Sequence, residues 1–499
     1  MPKSSIFSLG CCKISAVRKK LFKISAVFIL FLSNVLSVSA QNLKFPSLEP
    51  LFAEEKTSAE LSPLEIIEDG LRFSECAENS DEWNSCVQKF LLLEQKALAA
   101  VKNLSVPEAA EKILSVLYDD LLVQYRDQQT KINVALTCGT YNCVSSSVIY
   151  YALAKSAGID VAGVKTPTHA FCSIFSDGKR IDVETTNPYG FNPGQTRLLE
   201  KTENSARYAV IPRKNYANRS DVSAKTLVSL VGANMVSFYV SQRNYEKSVP
   251  LAAAVMAFRA GESEREILDA REVFDVPALN LSVEFERSGD FCASILWLEK
   301  ISSHYGTNVK TQNALNAAFH NAVVDFLDKK DFDSAWEIYK KHKDSVSEKT
   351  SLEAQKMIFL SEVQENLDSR SDSAALEYVR SQYNSVLTGE KSVKSALDKW
   401  QEYYWLRLVN EKSRQKNYMD AAALADEGLK AMPGNPALSN AKNVALRNHD
   451  VEFHNSAAMY VNSRQYEKAM EMLNEGLSEN PASKMLQNDK FRLEKIMSQ

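Results

Sequence analysis

Apolar residues recur with two different periods along this chain. From Pro63 to Val134, and again from about Thr226 onward, they lie three to four positions apart, which predicts amphipathic helices. Between Cys138 and Pro212 the pattern changes to short apolar runs bounded by turn residues, which predicts strands. The chain is therefore predicted to be mostly α overall, with one α+β core between two helical segments.

The first helical segment, residues 63–135, contains a well-marked helix start. Ser105 and Glu108 have the spacing of a capping box, and Pro107 lies in the first turn. Six apolar residues then follow at helical spacing: Ile113, Leu114, Leu117, Leu121, Leu122 and Tyr125. Because such a stripe must be buried against another element, this segment is predicted to brace the core.

The core, predicted over residues 136–215, has the pattern of a helix packed on a small antiparallel sheet. A helix is predicted from Cys143 to Ala157 and is ended by Gly158. Strands are predicted over residues 159–164, 169–175 and 179–184. Asp177-Gly178 joins the last two strands and is a strong signal for a two-residue hairpin loop.

The second helical segment, residues 226–499, carries a recurring pattern of a polar residue, an aromatic, two variable positions and a small residue. It occurs at Asn244 to Ser248, Asp290 to Ser294, Asp331 to Ala335, Asn417 to Ala421 and Gln465 to Ala469. The pattern resembles tetratricopeptide repeats, in which the aromatic lies at the turn between two helices and the small residue lets them cross closely. The spacings exceed the usual ~34 residues, and the longest predicts a degenerate unit near Ala374.

The N-terminal residues 1–40 have the pattern of a secretory signal peptide. Basic residues precede an apolar run from Ile24 to Val38, and small residues end at Ala40. The run is shorter than the ~20 residues that span a bilayer, which favours cleavage over an uncleaved anchor. We therefore expect an exported protein, periplasmic or extracellular, with residues 41–62 as a tether and no membrane span after cleavage.

Composition and charge narrow the class of protein. The 499 residues are too many for one core, and 45% hydrophobic with 24% charged residues is typical of soluble globular domains. The net charge of -4 gives no reason to expect nucleic acid as a partner.

Cysteine usage also limits the candidate sites. The cysteines that follow residue 40 are too sparse for a disulfide framework, although Cys76 and Cys86 flank a turn and are placed to close a small loop. The others lack the spacing of zinc ligands, so neither a metal nor a cofactor is predicted.

Cys143, His169 and a following acid have the order of a thiol nucleophile site. The thiolate is the reactive form of cysteine and is favoured in the first turn of a helix, which Asn142 is placed to cap. The backbone N–H of Cys143 would face an oxyanion formed by attack on a carbonyl, with Asn142, Tyr141 and Phe171 as further candidates for the oxyanion site or the cleft. His169 would hold the thiolate and protonate the leaving group.

Two acids, Asp182 and Glu184, are candidates to orient His169. The predicted hairpin pairs Ser176 with Lys179, Ser173 with Asp182 and Phe171 with Glu184. Glu184 is then diagonal to His169, whereas Asp182 lies roughly 13 Å away at ~3.3 Å per residue. The register favours Glu184, and Asp182 remains the alternative because a bulge at the turn would change the pairing.

These residues resemble the transglutaminase-like superfamily of papain-type thiol enzymes. Three motifs carry the resemblance in order: Asn142-Cys143 opening a helix that ends at Gly158-Ile159, then Thr168-His169-Ala170-Phe171, then Val183-Glu184-Thr185-Thr186. The family usually has aspartate where Glu184 stands, and a longer spacing between cysteine and histidine. The resemblance implies amide chemistry through an acyl-thioester, as peptide hydrolysis, deamidation or transfer to an amine.

Two functions are consistent with these predictions. The first is an exported cysteine-nucleophile enzyme that acts on protein or peptide amides, with the repeats binding a protein partner. The second is a non-catalytic tetratricopeptide-like scaffold whose transglutaminase-like fold is inactive. Concave repeat surfaces bind extended peptides, so a protein partner is expected in both cases.

Overall fold

The structure is a computed structural model that describes residues 43–52, 60–193 and 206–498. The predicted signal peptide and part of the predicted tether lie outside the described residues. The chain is mostly helical, with 18 helices and small sheets in its described part. Within these residues no helix is both long and apolar enough to cross a membrane.

In the described residues, three helices precede the core: α1 (Pro63–Phe73), α2 (Asp81–Ala100) and α3 (Val106–Asp120). The predicted capping box at the start of α3 is present, since Ser105 N donates to Glu108 Oε2 at 3.0 Å. The apolar stripe of α3 is buried, as its periodicity predicted. Cys76 and Cys86 are both buried free thiols, so the loop between them is not closed by a disulfide.

Two short strands and two helices form the first part of the core: β1 (Gln124–Tyr125), α4 (Ile132–Cys138), β2 (Thr140–Tyr141) and α5 (Cys143–Ser156). Strand β1 pairs with β2 in parallel, which places the start of α5 beside the β1 segment. Helix α5 packs against α1, the sheet strand that carries Phe171, and the first helix after the core. It is therefore the central helix of the core, and most of its residues are buried.

A four-stranded antiparallel sheet, in the order β5-β4-β3-β6, covers one side of α5. Its strands are β3 (Val161–Lys165), β4 (Ala170–Ser176), β5 (Lys179–Val183) and β6 (Ser220–Val222). Strand β6 lies beyond residue 215, the predicted end of the core. The sheet is therefore completed by a segment that the sequence pattern did not assign to it.

The β4–β5 hairpin has the predicted turn and register. Asp177 and Gly178 both have positive φ, 49° and 70°, as a two-residue type I′ turn requires. Ser176 pairs with Lys179, and Ser173 pairs with Asp182, without a bulge. This confirms the pairing from which the position of Glu184 was predicted.

Thirteen helices follow the core and form an array of antiparallel hairpins. Their bounds are α6 (Ala224–Ser241), α7 (Tyr245–Phe258), α8 (Glu264–Arg287), α9 (Phe291–Tyr305), α10 (Val309–Asp328), α11 (Phe332–His342), α12 (Glu348–Asp368), α13 (Asp372–Gln382), α14 (Lys391–Arg414), α15 (Tyr418–Ala431), α16 (Pro436–Asn462), α17 (Tyr466–Glu479) and α18 (Lys484–Met497). The apolar core is continuous from Leu48 to Ile358, so α6 to α12 share one interior with the α+β core.

The recurring sequence pattern marks five helix–helix turns of similar geometry. At each turn the polar residue is the N-cap, and the residue before it has positive φ: Arg243, Gly289, Lys330, Lys416 and Arg464. The small residue is fully buried every time: Ser248, Ser294, Ala335, Ala421 and Ala469. A small side chain at this position lets the two helices of a hairpin approach closely. The resemblance to tetratricopeptide repeats stays a prediction.

Candidate active site

Cys143 is the first residue of α5, and Asn142 is its N-cap as predicted. Asn142 Oδ1 accepts hydrogen bonds from the backbone N–H groups of Val144 and Ser145, at 3.0 and 3.1 Å. The Ser146 N–H donates to the backbone carbonyl of Asn142. The N–H of Cys143 itself has no acceptor among the described residues. It lies beside the half-buried thiol of the same residue. This amide is available to a substrate oxyanion.

His169 lies at the end of the β3–β4 turn, directly before β4. Its backbone carbonyl accepts from the N–H and the hydroxyl of Thr166, at 2.8 and 3.2 Å, which fixes the turn. The imidazole Nε2 lies 2.7 Å from Glu184 Oε2, and both side chains are almost fully buried. Since Nε2 is engaged by Glu184, Nδ1 is the ring nitrogen left to face the thiol of Cys143.

The charge state of His169 depends on both of its neighbours. Burial of the imidazole lowers its pKa, but the negative charge of Glu184 and hydrogen bonds with Cys143 and Glu184 outweigh burial and raise the pKa of His169 to about 10. The imidazolium form is therefore favoured at neutral pH. An imidazolium beside a thiol stabilises the thiolate as an ion pair.

The Glu184 carboxylate is held by four hydrogen bonds. Oε2 accepts from His169 and from the hydroxyl of Tyr216 at 2.6 Å, while Oε1 accepts from the N–H and the hydroxyl of Thr186, at 3.1 and 2.8 Å. Burial raises the pKa of Glu184, but the charge of His169 and these hydrogen bonds lower it overall. The carboxylate is thus kept ionised and fixed in orientation.

Tyr216 is a site residue that the sequence did not predict. It ends a short 3₁₀ helix, Arg213–Tyr216, and its ring packs edge-on against both His169 and Phe171, with centroids 5.9 and 5.3 Å apart. No motif marks this tyrosine, and it lies one residue beyond the predicted end of the core. Its position depends on β6 pairing with β3, which is a contact between distant parts of the chain.

Asp182, the alternative acid, does not contact His169. Its carboxylate accepts hydrogen bonds from the Arg219 guanidinium at 2.6 and 2.7 Å and from the Ser173 hydroxyl at 2.7 Å. Burial raises the pKa of Asp182, but the hydrogen bonds from Arg219 and Ser173 lower it overall. Asp182 therefore ties the segment before β6 to the hairpin, and Glu184 is the acid that meets the histidine.

Tyr141 and Phe171, predicted as oxyanion or cleft residues, are buried behind the site and do not line the cleft. The Tyr141 hydroxyl lies 2.8 Å from that of Tyr118 and donates to the Arg207 carbonyl at 2.7 Å. Phe171 stacks on the His169 ring, with centroids 5.9 Å apart and planes at 22°. The residues that cover them, Tyr118 and the 3₁₀ helix that carries Tyr216, come from distant parts of the sequence.

The loop that follows β5, residues 187–193, supports Glu184 on the side away from the cleft. The backbone N–H of Glu184 donates to the Gly190 carbonyl at 2.8 Å, and the Asn187 side-chain oxygen accepts from Tyr189 N–H at 3.0 Å. A β-carbon at residue 190 would lie 1.9 Å from the Glu184 carbonyl oxygen, so only glycine fits there. As far as residue 193, this loop supports the acid and does not form a wall of the cleft.

Hydrogen bonds between hydroxyl groups join helix α5 to Thr185, the residue after Glu184. The Thr185 hydroxyl lies 2.9 Å from that of Ser146 and 2.8 Å from that of Ser147, and all three are buried. These bonds fix the cysteine helix relative to the residue that follows Glu184. The thiol and the carboxylate are therefore held in one rigid frame on either side of His169.

A cleft of about 490 Å³ opens at Cys143 and His169. Its opposite wall is formed by two helices of the array: Leu230, Ala233, Asn234, Val236 and Ser237 lie on α6, and Asp269, Glu272, Val273 and Val276 on α8. The sequence predicted that the repeats bind a protein partner, but not that the first helices of the array border the thiol. Among the described residues, no group of His, Cys, Asp and Glu has the arrangement of a metal site.

No known protein family and no curated protein matches this chain. Among solved structures, a crystal structure of menin, described as revealing the binding site for Mixed Lineage Leukemia (MLL) protein, is similar at 11% sequence identity and a TM-score of 0.29. The match covers 62% of this chain and 80% of the menin chain. A TM-score this low does not establish a common fold.

Proposed function

We propose that this chain is a cysteine-nucleophile enzyme that acts on peptide or protein amides, with a transglutaminase-like core. One observation carries the proposal: His169 lies between the Cys143 thiol and the Glu184 carboxylate, at the edge of an open cleft. A buried histidine hydrogen-bonded to a buried acid and lying beside a half-buried thiol is the arrangement of a thiol nucleophile site.

In the proposed reaction the Cys143 thiolate attacks the amide carbonyl carbon, and the carbonyl oxygen becomes an oxyanion that accepts from the Cys143 N–H. His169 donates its Nδ1 proton to the leaving amine as the C–N bond breaks, which leaves an acyl-thioester on Cys143. Water or another amine then attacks the thioester while His169 takes back a proton. The product is an acid or a new amide, and the Cys143 thiolate beside the His169 imidazolium is restored.

The array after α8 is proposed to bind a protein partner. Helices α9 to α18 contribute none of the residues that border the cleft, so their hairpins serve another purpose than forming the substrate wall. A tetratricopeptide-like array of this kind presents a concave surface for an extended peptide. The length of this helical array also favours the second candidate function, a scaffold without turnover. Export is proposed from the sequence of residues 1–40 alone, and these lie outside the described residues.

Alkylation of Cys143 distinguishes the two candidates. We expect iodoacetamide to label Cys143 faster than the exposed thiol of Cys138 in the same molecule at neutral pH, followed by peptide mass spectrometry. His169→Ala should remove the difference, because the imidazolium no longer stabilises the thiolate. Equal rates for the two thiols in the wild-type protein would favour the scaffold.

A further inference from the structure

Arg259 is a buried cation whose hydrogen-bonding capacity is mostly unused. It follows the last residue of α7, and only 1% of its surface is exposed. Its Nε donates to the Ser229 hydroxyl on α6 at 2.7 Å, but neither Nη1 nor Nη2 has a hydrogen-bond partner among the described residues. Because buried guanidinium groups are almost always fully paired, this one is placed for an acceptor from outside the chain.

The same cleft that opens at Cys143 is bordered by Arg259. The arginine stands between α6 and α8, where Ala233 and Val273 also face the cleft. A molecule that fills this cavity of about 490 Å³ lies beside the thiol and against the buried guanidinium, whose Nη groups it reaches once the cleft side chains adjust around it. The apolar side chains that also line this cleft, among them Ala233 and Val273, fit the body of a peptide.

The acids around Arg259 do not satisfy its donors. Asp269 is paired with Lys165 at 2.6 Å, and Glu272, also on the cleft wall, is paired with Lys310 at 2.9 Å. Burial lowers the pKa of Arg259, and the charges of Asp269, Glu266 and Glu262 counteract it through space without hydrogen bonds to the guanidinium. These charges help to keep the arginine protonated and leave its two Nη groups open.

We infer that Arg259 is a specificity residue that receives a carboxylate of the substrate, so that the enzyme selects acidic peptides over neutral ones. The planar guanidinium offers two parallel N–H groups that match a carboxylate, and Ser229 holds its orientation in advance. The carboxylate belongs to an aspartate or glutamate side chain or to a chain terminus. The inference relies on the proposed function for the reacting thiol, but the anion site is tested independently of turnover.

The test uses pairs of bromoacetyl probes, which alkylate Cys143 with loss of bromide. One arm compares bromoacetyl-glycine, -diglycine and -triglycine with their terminal amides, so that the chain carboxylate is offered at three distances. The other arm compares bromoacetyl-aspartyl amide with bromoacetyl-asparaginyl amide, which offers a side-chain carboxylate. Each rate at Cys143 is divided by the rate at exposed Cys138, which removes intrinsic differences between probes.

In the wild-type protein we expect at least one acid probe to react about 10-fold faster than its amide, as one charge-assisted hydrogen-bonded pair provides. Arg259→Gln should bring the ratio to about one. Arg259→Lys, which keeps the charge without the planar fork, should lower it partly. The control Arg265→Gln removes an exposed arginine from α8 and should keep the wild-type ratio.

A ratio of about one for every probe in the wild-type protein overturns the inference, and so does a preference that survives Arg259→Gln. The ratio compares two probes at one thiol and does not depend on how reactive that thiol is. Slow labelling of Cys143 that is insensitive to His169→Ala would therefore overturn the proposed function alone. The two failures are distinguishable in one data set.

Discussion

His169 Nε2 lies 2.7 Å from Glu184 Oε2, and this contact determines which ring nitrogen meets the thiol. An ionised carboxylate on Nε2 fixes the tautomer and orientation of the ring, so Nδ1 is directed to Cys143. The contact is shielded from water, since the two side chains are 2% and 1% exposed. In the proposed reaction Glu184 is therefore a positioning residue, which would act on the substrate only through His169.

Glu184→Gln should lower the alkylation rate of Cys143 by roughly 10- to 100-fold, because it removes a charge-assisted hydrogen bond of about 1.5–3 kcal/mol from the imidazolium. The control is Asp182→Asn, which changes an acid bound to Arg219 and should lower the alkylation rate of Cys143 by less than about threefold. The measurement is iodoacetamide labelling followed by peptide mass spectrometry. If Asp182→Asn had the larger effect, the assignment of Glu184 would be wrong.

Tyr216→Phe removes one of the four hydrogen bonds to the Glu184 carboxylate. We expect a loss of about 1–3 kcal/mol in the free energy of unfolding, since a buried carboxylate loses a donor. The pKa of His169 should also change, and NMR titration of the imidazole measures this. A merely structural role for Tyr216 would leave that pKa unchanged. Tyr189→Phe, at an exposed tyrosine of the neighbouring loop, is the matched control.

The sequence was sufficient for the β4–β5 hairpin because its determinants are local. Asp177-Gly178 specifies a two-residue turn, and the turn then fixes every pair along the two strands. The start of α5 was predictable for the same reason, since the cap residue Asn142 and the helix it begins are adjacent. Wherever residues within a few positions decide the geometry, sequence patterns predicted it.

The remaining parts of the site depend on contacts between distant segments. Tyr216 reaches Glu184 because β6 returns to pair with β3, and no periodicity in residues 206–222 indicates that pairing. Arg259 borders the cleft because α6 and α8 pack over the core, which an amphipathic pattern does not specify. The sequence shows which face of an element is apolar, but not which element covers it.

Gly190→Ala should disrupt the support of Glu184. A β-carbon there would lie 1.9 Å from the Glu184 carbonyl oxygen, so the loop must move and the bond from Glu184 N–H to the Gly190 carbonyl must weaken. We expect about 1–3 kcal/mol lower stability, typical of overpacking, together with slower labelling of Cys143. Gly389→Ala, where a β-carbon meets nothing within 4 Å, should be nearly neutral in both measurements.

The His169–Glu184 pair predicts a pH dependence of stability. Because the pKa of His169 is raised from 6.5 to about 10, its contribution is fully present below about pH 6.5 and is lost as the pH rises towards 10. The lowered pKa of Glu184 acts in the opposite direction, with a contribution that is lost as the pH falls below its unfolded value.

The comparison for this prediction is the double variant His169→Gln/Glu184→Gln, which leaves no unpaired buried charge. The difference in melting temperature between wild type and variant should be largest near pH 6 and should narrow at about pH 8 and again at about pH 10. A difference that stays constant over this range would contradict the raised pKa of His169.

Substitutions at the fully buried small residues of the hairpin turns test whether the two ends of the array differ in their effect on the thiol site. Ala421→Leu should overpack the crossing of α14 and α15 and lower stability by about 1–3 kcal/mol, while Ala423→Leu on the exposed face of α15 should not. Labelling of Cys143 should be unchanged by Ala421→Leu, since neither helix borders the cleft.

Ser248→Leu makes the same kind of change at the turn between α6 and α7, where α6 forms a wall of the cleft. It should therefore destabilise the protein and also slow the labelling of Cys143 by the peptide-like probes. Both variants introduce leucine at equivalent turns. A difference between their Cys143 labelling rates is therefore due to the position of the turn in the array and not to the substitution itself. Slower labelling in Ala421→Leu would show that distant hairpins act on the thiol site, which the separate hydrophobic cluster around Ala421 argues against.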